Sequence, residues 1–157
     1  MAETIRLIVP GILRYRAVAV RVVAEAARLV SNSSQRDPDD PLSTDVRDPF
    51  DTAVVSAFME IFNNIAIHAY QRSGGGTIEI AIYPKDRDLT IEVKDHGHAF
   101  DLDQVAPLPE VDEDALPEGG MGIHIAKTML DEMTYEPGPP NVWRLTKRLP
   151  VGRKAAS

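Results

Sequence analysis

Hydrophobic and polar positions follow two different periods in the first third of the chain. From Thr4 to Val9 they alternate, with β-branched residues among them, which predicts a short strand that ends at Pro10 and Gly11. From Ile12 to about Val30 the apolar residues recur at helical spacing with arginines on the other side, which predicts an amphipathic helix. The stretch 31–50 is polar and broken by prolines, so we expect a surface loop there.

A second helix is predicted from Asp51 to Arg72, because this periodic segment contains neither proline nor glycine. Asp48 or Asp51 is expected to cap its N-terminus, and the glycine run after Ser73 is expected to end it. We therefore expect one long helix in the middle of the chain.

The second half of the chain predicts two hairpins separated by a third helix, Met121–Met133. The predicted strands are Thr77–Tyr83 with Leu89–Val93, and Thr134–Glu136 with Val142–Leu149. No internal repeat and no second domain is found, so residues 1–157 are predicted to form a single domain. The order of elements indicates an α+β fold, with an antiparallel or mixed sheet and the helices gathered on one face.

Composition narrows the class of protein. With 43% hydrophobic and 26% charged residues, the chain reads as an ordinary globular domain, and a net charge of −7 argues against broad nucleic-acid binding. The absence of cysteine excludes disulfides and thiolate nucleophiles. Arginines interrupt the apolar N-terminal region, so we expect no membrane span, no signal peptide and a cytoplasmic location.

Three polar residues share one stripe of the second helix. Glu60, Asn64 and His68 are spaced i, i+4 and i+8 among apolar neighbours, so the stripe is expected to border the core. A neutral polar group left unpartnered there would cost on the order of 1–3 kcal/mol, which a bound ligand can offset. An amide oxygen suits Mg²⁺, and a carboxylate one turn away suits a general base. The alternative is a polar stripe that simply faces solvent.

Two glycine-containing segments have compatible chemistry. In Asp95-His96-Gly97, a carboxylate at a strand end can accept the exocyclic amine of adenine, and Gly97 lets the backbone come close to the base. The run 119–122 precedes a helix and can expose backbone N–H groups to an anion. Each segment has a plainer alternative, a turn for the first and a hinge for the second. Their order and spacing after the polar stripe is what favours the nucleotide site.

Together these motifs resemble the N, G1 and G2 boxes of the GHKL ATPase superfamily. The resemblance is carried by Glu60-x-x-x-Asn64 with His68-Ala69-Tyr70, by Asp95-x-Gly97 and by Gly120-x-Gly122. Within that superfamily, the segments EIFNNIAIHAY, EGGMGIHIAKTMLDEM and WRLTKRL resemble the bacterial anti-sigma-factor serine/threonine kinases. The resemblance extends over Thr4 to Leu149 and implies the Bergerat ATP-binding fold, an α+β two-layer sandwich.

The resemblance also implies roles for individual residues. Glu60 would be the catalytic base, and Asn64 would bind both Mg²⁺ and ATP. The remaining ATP-binding residues would be His68, Asp95, Gly97, Gly120, Met121, Gly122 and, near the base, Thr146. The stretch 98–119 would form a lid over ATP. Relatives are typically homodimers that bind a sigma factor and phosphorylate a serine of an anti-anti-sigma (STAS-type) protein, with no direct contact to nucleic acid or membrane.

One departure from the family pattern keeps several functions open. No lysine or arginine occurs between Asp95 and Ala126, so the lid offers no cation to the phosphates. The chain is either a serine kinase that inhibits a sigma factor or an ATP-dependent switch that binds a partner without phosphorylating it. A two-component histidine kinase is the weakest alternative, because the first predicted helix contains no histidine. Glu60 favours the kinase, since a pure binding module needs no base.

Overall fold

The computed structural model describes residues 3–31, 48–73, 75–101 and 120–152. Its strands are β1 (Ile5–Pro10), β2 (Thr77–Lys85), β3 (Asp88–Asp95), β4 (Glu132–Glu136) and β5 (Asn141–Arg148). Its α-helices are α1 (Arg16–Ser31), α2 (Pro49–Asn64) and α3 (Gly120–Met129). The strands form one sheet in the order β1-β2-β3-β5-β4, and every neighbouring pair is antiparallel. The predicted α+β class is confirmed.

The alternation of side chains along the strands creates the two faces of this sheet. In β3, every second residue from Leu89 to Asp95 is buried. Ile78, Ile80 and Ile82 of β2 are buried in the same core. Helix α1 contacts β2 and β3, α2 contacts β5, and α3 contacts β4, so the helices cover one face of the sheet. The molecule is therefore the two-layer arrangement expected from the sequence.

Helix α2 is the central element of the helical layer and packs against both α1 and α3. Its N-terminus is capped by Asp48, whose carboxylate accepts hydrogen bonds from the backbone N–H groups of Phe50 (2.9 Å) and Asp51 (3.2 Å). Asp51 has a different role: its buried carboxylate accepts a hydrogen bond of 2.7 Å from the hydroxyl of Ser31. Of the two capping residues considered, the structure identifies Asp48.

The segment Pro49–Ala69 is long and apolar enough to cross a membrane by length and composition alone, with a mean hydropathy of 1.2 over an 18-residue window. More than half of that window, 56%, is buried inside the domain. Phe58, Ile61 and Phe62 are fully enclosed between the sheet and the other helices. A buried core helix can have the same length and composition, so the segment's hydropathy is explained by its place in the core.

The predicted end of the second helix was wrong, and the reason is a change of helical type. After Asn64 the chain continues as a π-helical turn, Ile65–Ala69, closed by a 2.9 Å hydrogen bond from Tyr70 N–H to the Ile65 carbonyl. Gln71 and Arg72 then adopt left-handed backbone conformations, with φ of 50° and 58°. These two residues reverse the chain before it reaches the glycine run.

Other boundaries shifted by a few residues. A 3₁₀ turn, Leu13–Tyr15, precedes α1, so the α-helix begins later than predicted. Helix α3 ends at Met129 rather than Met133, because β4 begins at Glu132 and pairs with β5 from there. Most of the predicted 31–50 loop (32–47) and most of the predicted 98–119 lid (102–119) lie outside the described residues.

Candidate functional site

A cleft of about 200 Å³ lies between α2 and the beginning of α3. We call it the helix cleft; it is lined by Glu60, Asn63, Asn64, Ile67, His68, Met121, Gly122 and Ile123. The polar stripe predicted on the second helix thus faces a cleft, together with Met121 and Gly122 of the third predicted motif. Helical spacing explains why the stripe shares one face, because residues four apart lie on the same side of a helix. The packing of α3 on α2 brings Met121 and Gly122 to that face.

Asn64 is the most unusual residue of the helix cleft. It is only 6% exposed, and its side-chain oxygen Oδ1 is buried without a hydrogen-bond partner among the described residues. Buried polar atoms in native proteins are nearly always paired, and an orphaned one costs about 1–3 kcal/mol. A neutral amide oxygen facing a cleft is a suitable ligand for a hard cation such as Mg²⁺. The donor chemistry at Asn64 therefore fits the metal that the family resemblance implies.

Glu60 and Gly122 approach each other closely across the helix cleft. A Cβ atom added at Gly122 would overlap the Oε2 atom of Glu60. Gly120, Met121 and Gly122 are the first three residues of α3 rather than a loop before it. Because the first N–H groups of a helix have no partner within the helix, these residues can donate to an anion. The cleft thus combines a carboxylate, an amide oxygen and backbone donors.

A second, smaller cavity of about 40 Å³ lies where the π-helical turn meets the ends of β3, β4 and β5. We call it the sheet pocket; it is lined by Asn64, His68, Ala69, Asp95, His98, Ala99, Phe100, Tyr135 and Trp143. It shares Asn64 and His68 with the helix cleft, so the two cavities are neighbouring parts of one site.

Aromatic rings form one wall of the sheet pocket. The ring centroids of Tyr135 and Trp143 are 4.2 Å apart, and those of Phe100 and Trp143 are 6.0 Å apart. Trp143 is fully buried in the core cluster and also lines the pocket. Flat apolar walls of this kind suit a planar ring such as a nucleobase.

Asp95 is the buried carboxylate of the sheet pocket. Its Oδ1 atom accepts hydrogen bonds of 2.9 Å from Gly97 N–H and of 2.9 Å from the side-chain amide of Asn141. Its other oxygen, Oδ2, makes no hydrogen bond to any described residue. One carboxylate oxygen is thus fixed by the protein, and the other remains available to a donor such as an exocyclic amine.

Gly97 allows the strand end to touch the helix end. A Cβ atom added at Gly97 would overlap the backbone carbonyl of Ala69, and the next residue, His98, donates its N–H to that same carbonyl at 2.8 Å. The close backbone contact at Gly97 is thus with Ala69, and the expected approach to an adenine base stays a prediction. This contact joins the sheet pocket to the helix that lines the helix cleft.

Tyr70 reinforces the same joint. Its hydroxyl donates to the Thr77 carbonyl at 2.7 Å and accepts from His96 N–H at 2.8 Å. Burial raises the pKa of this hydroxyl above its ordinary value, so it stays protonated and able to donate at neutral pH. The sequence motif contained Tyr70, but nothing in the local pattern indicated that it fastens β2 and β3 to the end of α2.

Thr146 is the one predicted site residue that the structure places elsewhere. It alternates with Trp143 and Leu145, which point into the core, so its side chain lies on the opposite face of the sheet. There its hydroxyl lies 3.3 Å from that of Thr90. A contact between Thr146 and a base in the sheet pocket is not compatible with this geometry.

Sequence reasoning missed two residues that belong to the surroundings of the site. Asn141 holds Asp95, as described above, and Asn63 lines the helix cleft and accepts a 2.7 Å hydrogen bond from the Arg16 guanidinium. Arg16 thus brings a positive charge from α1 to the wall of the cleft. Both contacts join residues far apart in sequence, so no local spacing could reveal them.

Comparison with known proteins agrees with this geometry. Residues 13–147 match the family model described as histidine kinase-like ATPase domain. The chain is 33% identical over 85 residues to the serine-protein kinase RsbW of Bacillus subtilis, covering 51% of this chain and 53% of that protein. It is 30% identical over 98 residues to the RsbW of Bacillus velezensis, covering 59% and 61%. It is 32% identical over 84 residues to the anti-sigma F factor of Clostridium acetobutylicum, covering 53% and 58%.

These matches are partial on both sides. The aligned part spans between about half and three fifths of each of these curated relatives. The family match is wider and includes every site residue predicted from the sequence.

Proposed function

Because the chain belongs to the histidine kinase-like ATPase domain family, we propose that it binds ATP with Mg²⁺ across the sheet pocket and the helix cleft and acts as an anti-sigma factor with serine/threonine kinase activity. The observation that carries the proposal is the orphaned Oδ1 of Asn64 at the junction of these two cavities. A bound ligand that contacts this oxygen would remove the free-energy cost of leaving it unpaired.

In this proposal the sheet pocket takes the adenine. The free oxygen of Asp95 accepts the exocyclic amine, and the aromatic wall around Trp143 packs near the base. Asn64 and His68 line both cavities, so they lie where the base and the phosphates would meet. His68 thus stands between the base and the phosphates, where it braces the junction.

The helix cleft takes the phosphates and the metal. Asn64 would hold Mg²⁺, which when bound neutralises charge on the phosphate oxygens. The N–H groups at the start of α3 (Gly120, Met121 and Gly122) donate to phosphate oxygens. Gly122 keeps the backbone close to Glu60, so the donors and the carboxylate face the same small volume.

Glu60 serves as the general base. It takes the proton of a serine hydroxyl while that oxygen forms a bond to the γ-phosphorus and the bond from phosphorus to ADP breaks. Asn64, one helical turn away, lies in the same cleft. A carboxylate at this place has no equivalent use in a protein that only binds nucleotide.

The partner classes come from the names of the relatives. A serine-protein kinase and an anti-sigma F factor are among the proteins most similar to this chain. We extend those activities to this chain: it binds a sigma factor, phosphorylates a serine of an anti-anti-sigma (STAS-type) protein, and works as a homodimer in the cytoplasm. No direct contact with nucleic acid or membrane is part of the proposal.

A second function, ATP-dependent binding without transfer, is favoured by one observation. The chain has no lysine or arginine from Asp95 to Ala126, the region that includes the start of α3. Phosphoryl transfer depends on neutralising the charge that develops on the phosphate oxygens. Arg16 brings a cation to the cleft wall, but it does so through Asn63. The kinase is therefore expected to be slow unless a partner supplies a basic residue.

Incubation with γ-labelled ATP, Mg²⁺ and candidate anti-anti-sigma proteins tests the proposal. The wild type is compared with Glu60→Gln, which keeps the size of the side chain and removes the base. Label on a partner serine that disappears in Glu60→Gln, with ATP affinity retained, supports the kinase.

Two other outcomes decide against parts of it. ATP binding without label transfer to any partner supports the switch instead. If neither ATP nor its magnesium complex binds to the wild type, the nucleotide site itself is wrong.

A further inference from the structure

Asn141 is a fully engaged polar residue at the edge of the sheet pocket. It begins β5 directly opposite Asp95, the last residue of β3, and it is 1% exposed. Its amide nitrogen donates to Asp95 Oδ1 at 2.9 Å and to the Gly97 carbonyl at 3.0 Å, while its own oxygen accepts from Gly138 N–H at 2.9 Å. Both donors and the acceptor of the amide are therefore used.

These bonds determine what Asp95 can offer to a ligand. The two oxygens of a carboxylate are chemically equivalent, and the group rotates readily about its Cβ–Cγ bond. Hydrogen bonds made to only one of the two oxygens fix its orientation. Asn141 and Gly97 both donate to Oδ1, and Oδ2 receives no hydrogen bond from the described residues. Asp95 is thus held in a fixed orientation, with Oδ1 engaged by the protein and Oδ2 left to accept a hydrogen bond from a ligand.

We propose that Asn141 is a positioning residue for base selectivity: by fixing the orientation of Asp95, it makes the pocket select a base with an exocyclic amine over one with a carbonyl oxygen at the same place. This inference rests on the proposed nucleotide site. Adenine places a donor opposite the free oxygen, whereas hypoxanthine places an acceptor there and would leave both groups unpaired. A site built around one fixed acceptor rejects such an analogue.

The test is the ratio of dissociation constants for ITP and ATP, both measured with Mg²⁺ by isothermal titration calorimetry. The two nucleotides share the ribose and the triphosphate, so the ratio isolates recognition of the base. The wild type is expected to bind ATP about tenfold to 100-fold more tightly, as expected for one hydrogen bond to a charged group. Asn141→Leu, which removes both donors, is expected to bring the ratio close to 1, mainly by weakening ATP.

A second variant guards against a folding defect. Asn141→Ala removes the donations to Asp95 and Gly97 without adding bulk at this buried position. It should lower the ratio in the same direction. Thr90→Val is the matched control, because it removes a side-chain contact between the same two strands on the opposite face of the sheet. Its ratio should equal that of the wild type.

Three other results would contradict, in turn, the role of Asn141, the base selectivity and the nucleotide site. If both Asn141 variants weaken ATP and ITP equally and keep the wild-type ratio, Asn141 has a structural role only and the inference is wrong. If the wild type binds both nucleotides equally, the base selectivity is wrong while the nucleotide site stands. If the wild type binds neither nucleotide, the proposed function fails and this inference fails with it.

Discussion

The two cavities of the site differ in how completely the protein satisfies their polar atoms. In the sheet pocket, Asp95 receives hydrogen bonds from Gly97 and Asn141, and Tyr70 fastens the strand ends beside it. In the helix cleft, the side-chain oxygen of Asn64 is buried with no partner among the residues that the structure describes. Folding alone pairs the polar atoms of the sheet pocket, whereas the helix cleft keeps one buried polar atom unpaired.

Because of this difference, mutations in the two cavities should affect the free energy of unfolding and the affinity for ligand differently. At the sheet pocket, the polar groups stabilise the folded chain whether or not a ligand is bound. At the helix cleft, the unpaired amide oxygen destabilises the free protein, and a ligand recovers that cost. Removing a polar group should therefore have opposite effects on the free energy of unfolding at the two ends.

The largest effect is expected from Asn64→Leu. Losing one oxygen ligand to a cation, worth about 2–3 kcal/mol, should weaken binding of magnesium ATP about 100-fold. Because the variant also removes an unpaired buried oxygen, the free energy of unfolding without ligand should rise by about 1 kcal/mol. Calorimetric titration and urea unfolding measure the two quantities. A free protein less stable than the wild type would contradict the contrast between the two cavities.

A pair of glycine substitutions compares the rigidity of the two ends. In Gly97→Ala the new methyl meets the backbone carbonyl of Ala69, which cannot move without shifting the π-helical turn. In Gly122→Ala it meets the end of the Glu60 side chain, which can rotate away. We expect Gly97→Ala to lower the free energy of unfolding by about 1–3 kcal/mol, the usual cost of overpacking.

Gly122→Ala should change stability by less than about 0.5 kcal/mol, as alanine also suits a helix better than glycine. Its effect should fall on phosphotransfer, because the methyl displaces Glu60. Urea unfolding of both variants and the labelled-ATP assay of Gly122→Ala give the comparison. Equal destabilisation by the two variants would show that the two ends are equally rigid.

Tyr70→Phe tests the joint between the helix and the strand ends. The variant keeps the ring, which packs against Gly11 and Gly76, and removes both the acceptor of the His96 N–H and the donor to the Thr77 carbonyl. We expect the free energy of unfolding to fall by about 1–2 kcal/mol. ATP affinity should fall less than tenfold, because Asp95 keeps its own donors. Tyr135→Phe is a comparison for the loss of stability only, since its hydroxyl likewise accepts a backbone N–H, that of Phe100, at 2.8 Å, while its ring lines the sheet pocket.

The smallest effect is expected on the open face of the sheet, outside both cavities. Burial opposes ionisation of Glu92, but hydrogen bonds from Arg144 and Lys94 outweigh it, so the pKa of this carboxyl lies below its ordinary value of 4.5. A lowered folded pKa adds stability above the unfolded value, and this stability is lost as the pH falls through the folded pKa.

Arg144→Met should therefore lower the free energy of unfolding by about 0.5 kcal/mol at pH 6 and by less as the pH falls toward 3. Nucleotide affinity should be unchanged. Urea unfolding at several pH values measures the first effect and calorimetric titration the second. A difference between variant and wild type that grows in acid would contradict the assigned sign.

Local patterns in the sequence predicted those parts of the molecule that depend on local spacing. The helical period of α2 and its apolar neighbours brought Glu60, Asn64 and His68 to one cleft, as expected. The hairpins β2–β3 and β4–β5 followed from alternation and turn residues. The α+β class follows from the order of these elements.

What the sequence could not provide depends on register between distant strands. Asn141 contacts Asp95 across 46 positions of sequence, and only the pairing of β3 with β5 brings them together. The family resemblance implied a contact between Thr146, on the last strand, and the base, but a strand alternates faces at every residue. Its pairing with Thr90 places it on the wrong side. A prediction that specifies the strand without its register cannot decide such a question.

The π-helical turn Ile65–Ala69 also has a consequence for how this chain tolerates insertions and deletions. A π turn holds one residue more than an α-helical turn, so deleting a single residue within it would leave a regular helix intact. The Ala69 carbonyl would then be withdrawn from His98, and the two cavities would no longer meet at the present distance. A length change that a regular helix can absorb would thus separate the two cavities, so we expect these five residues to tolerate no shortening.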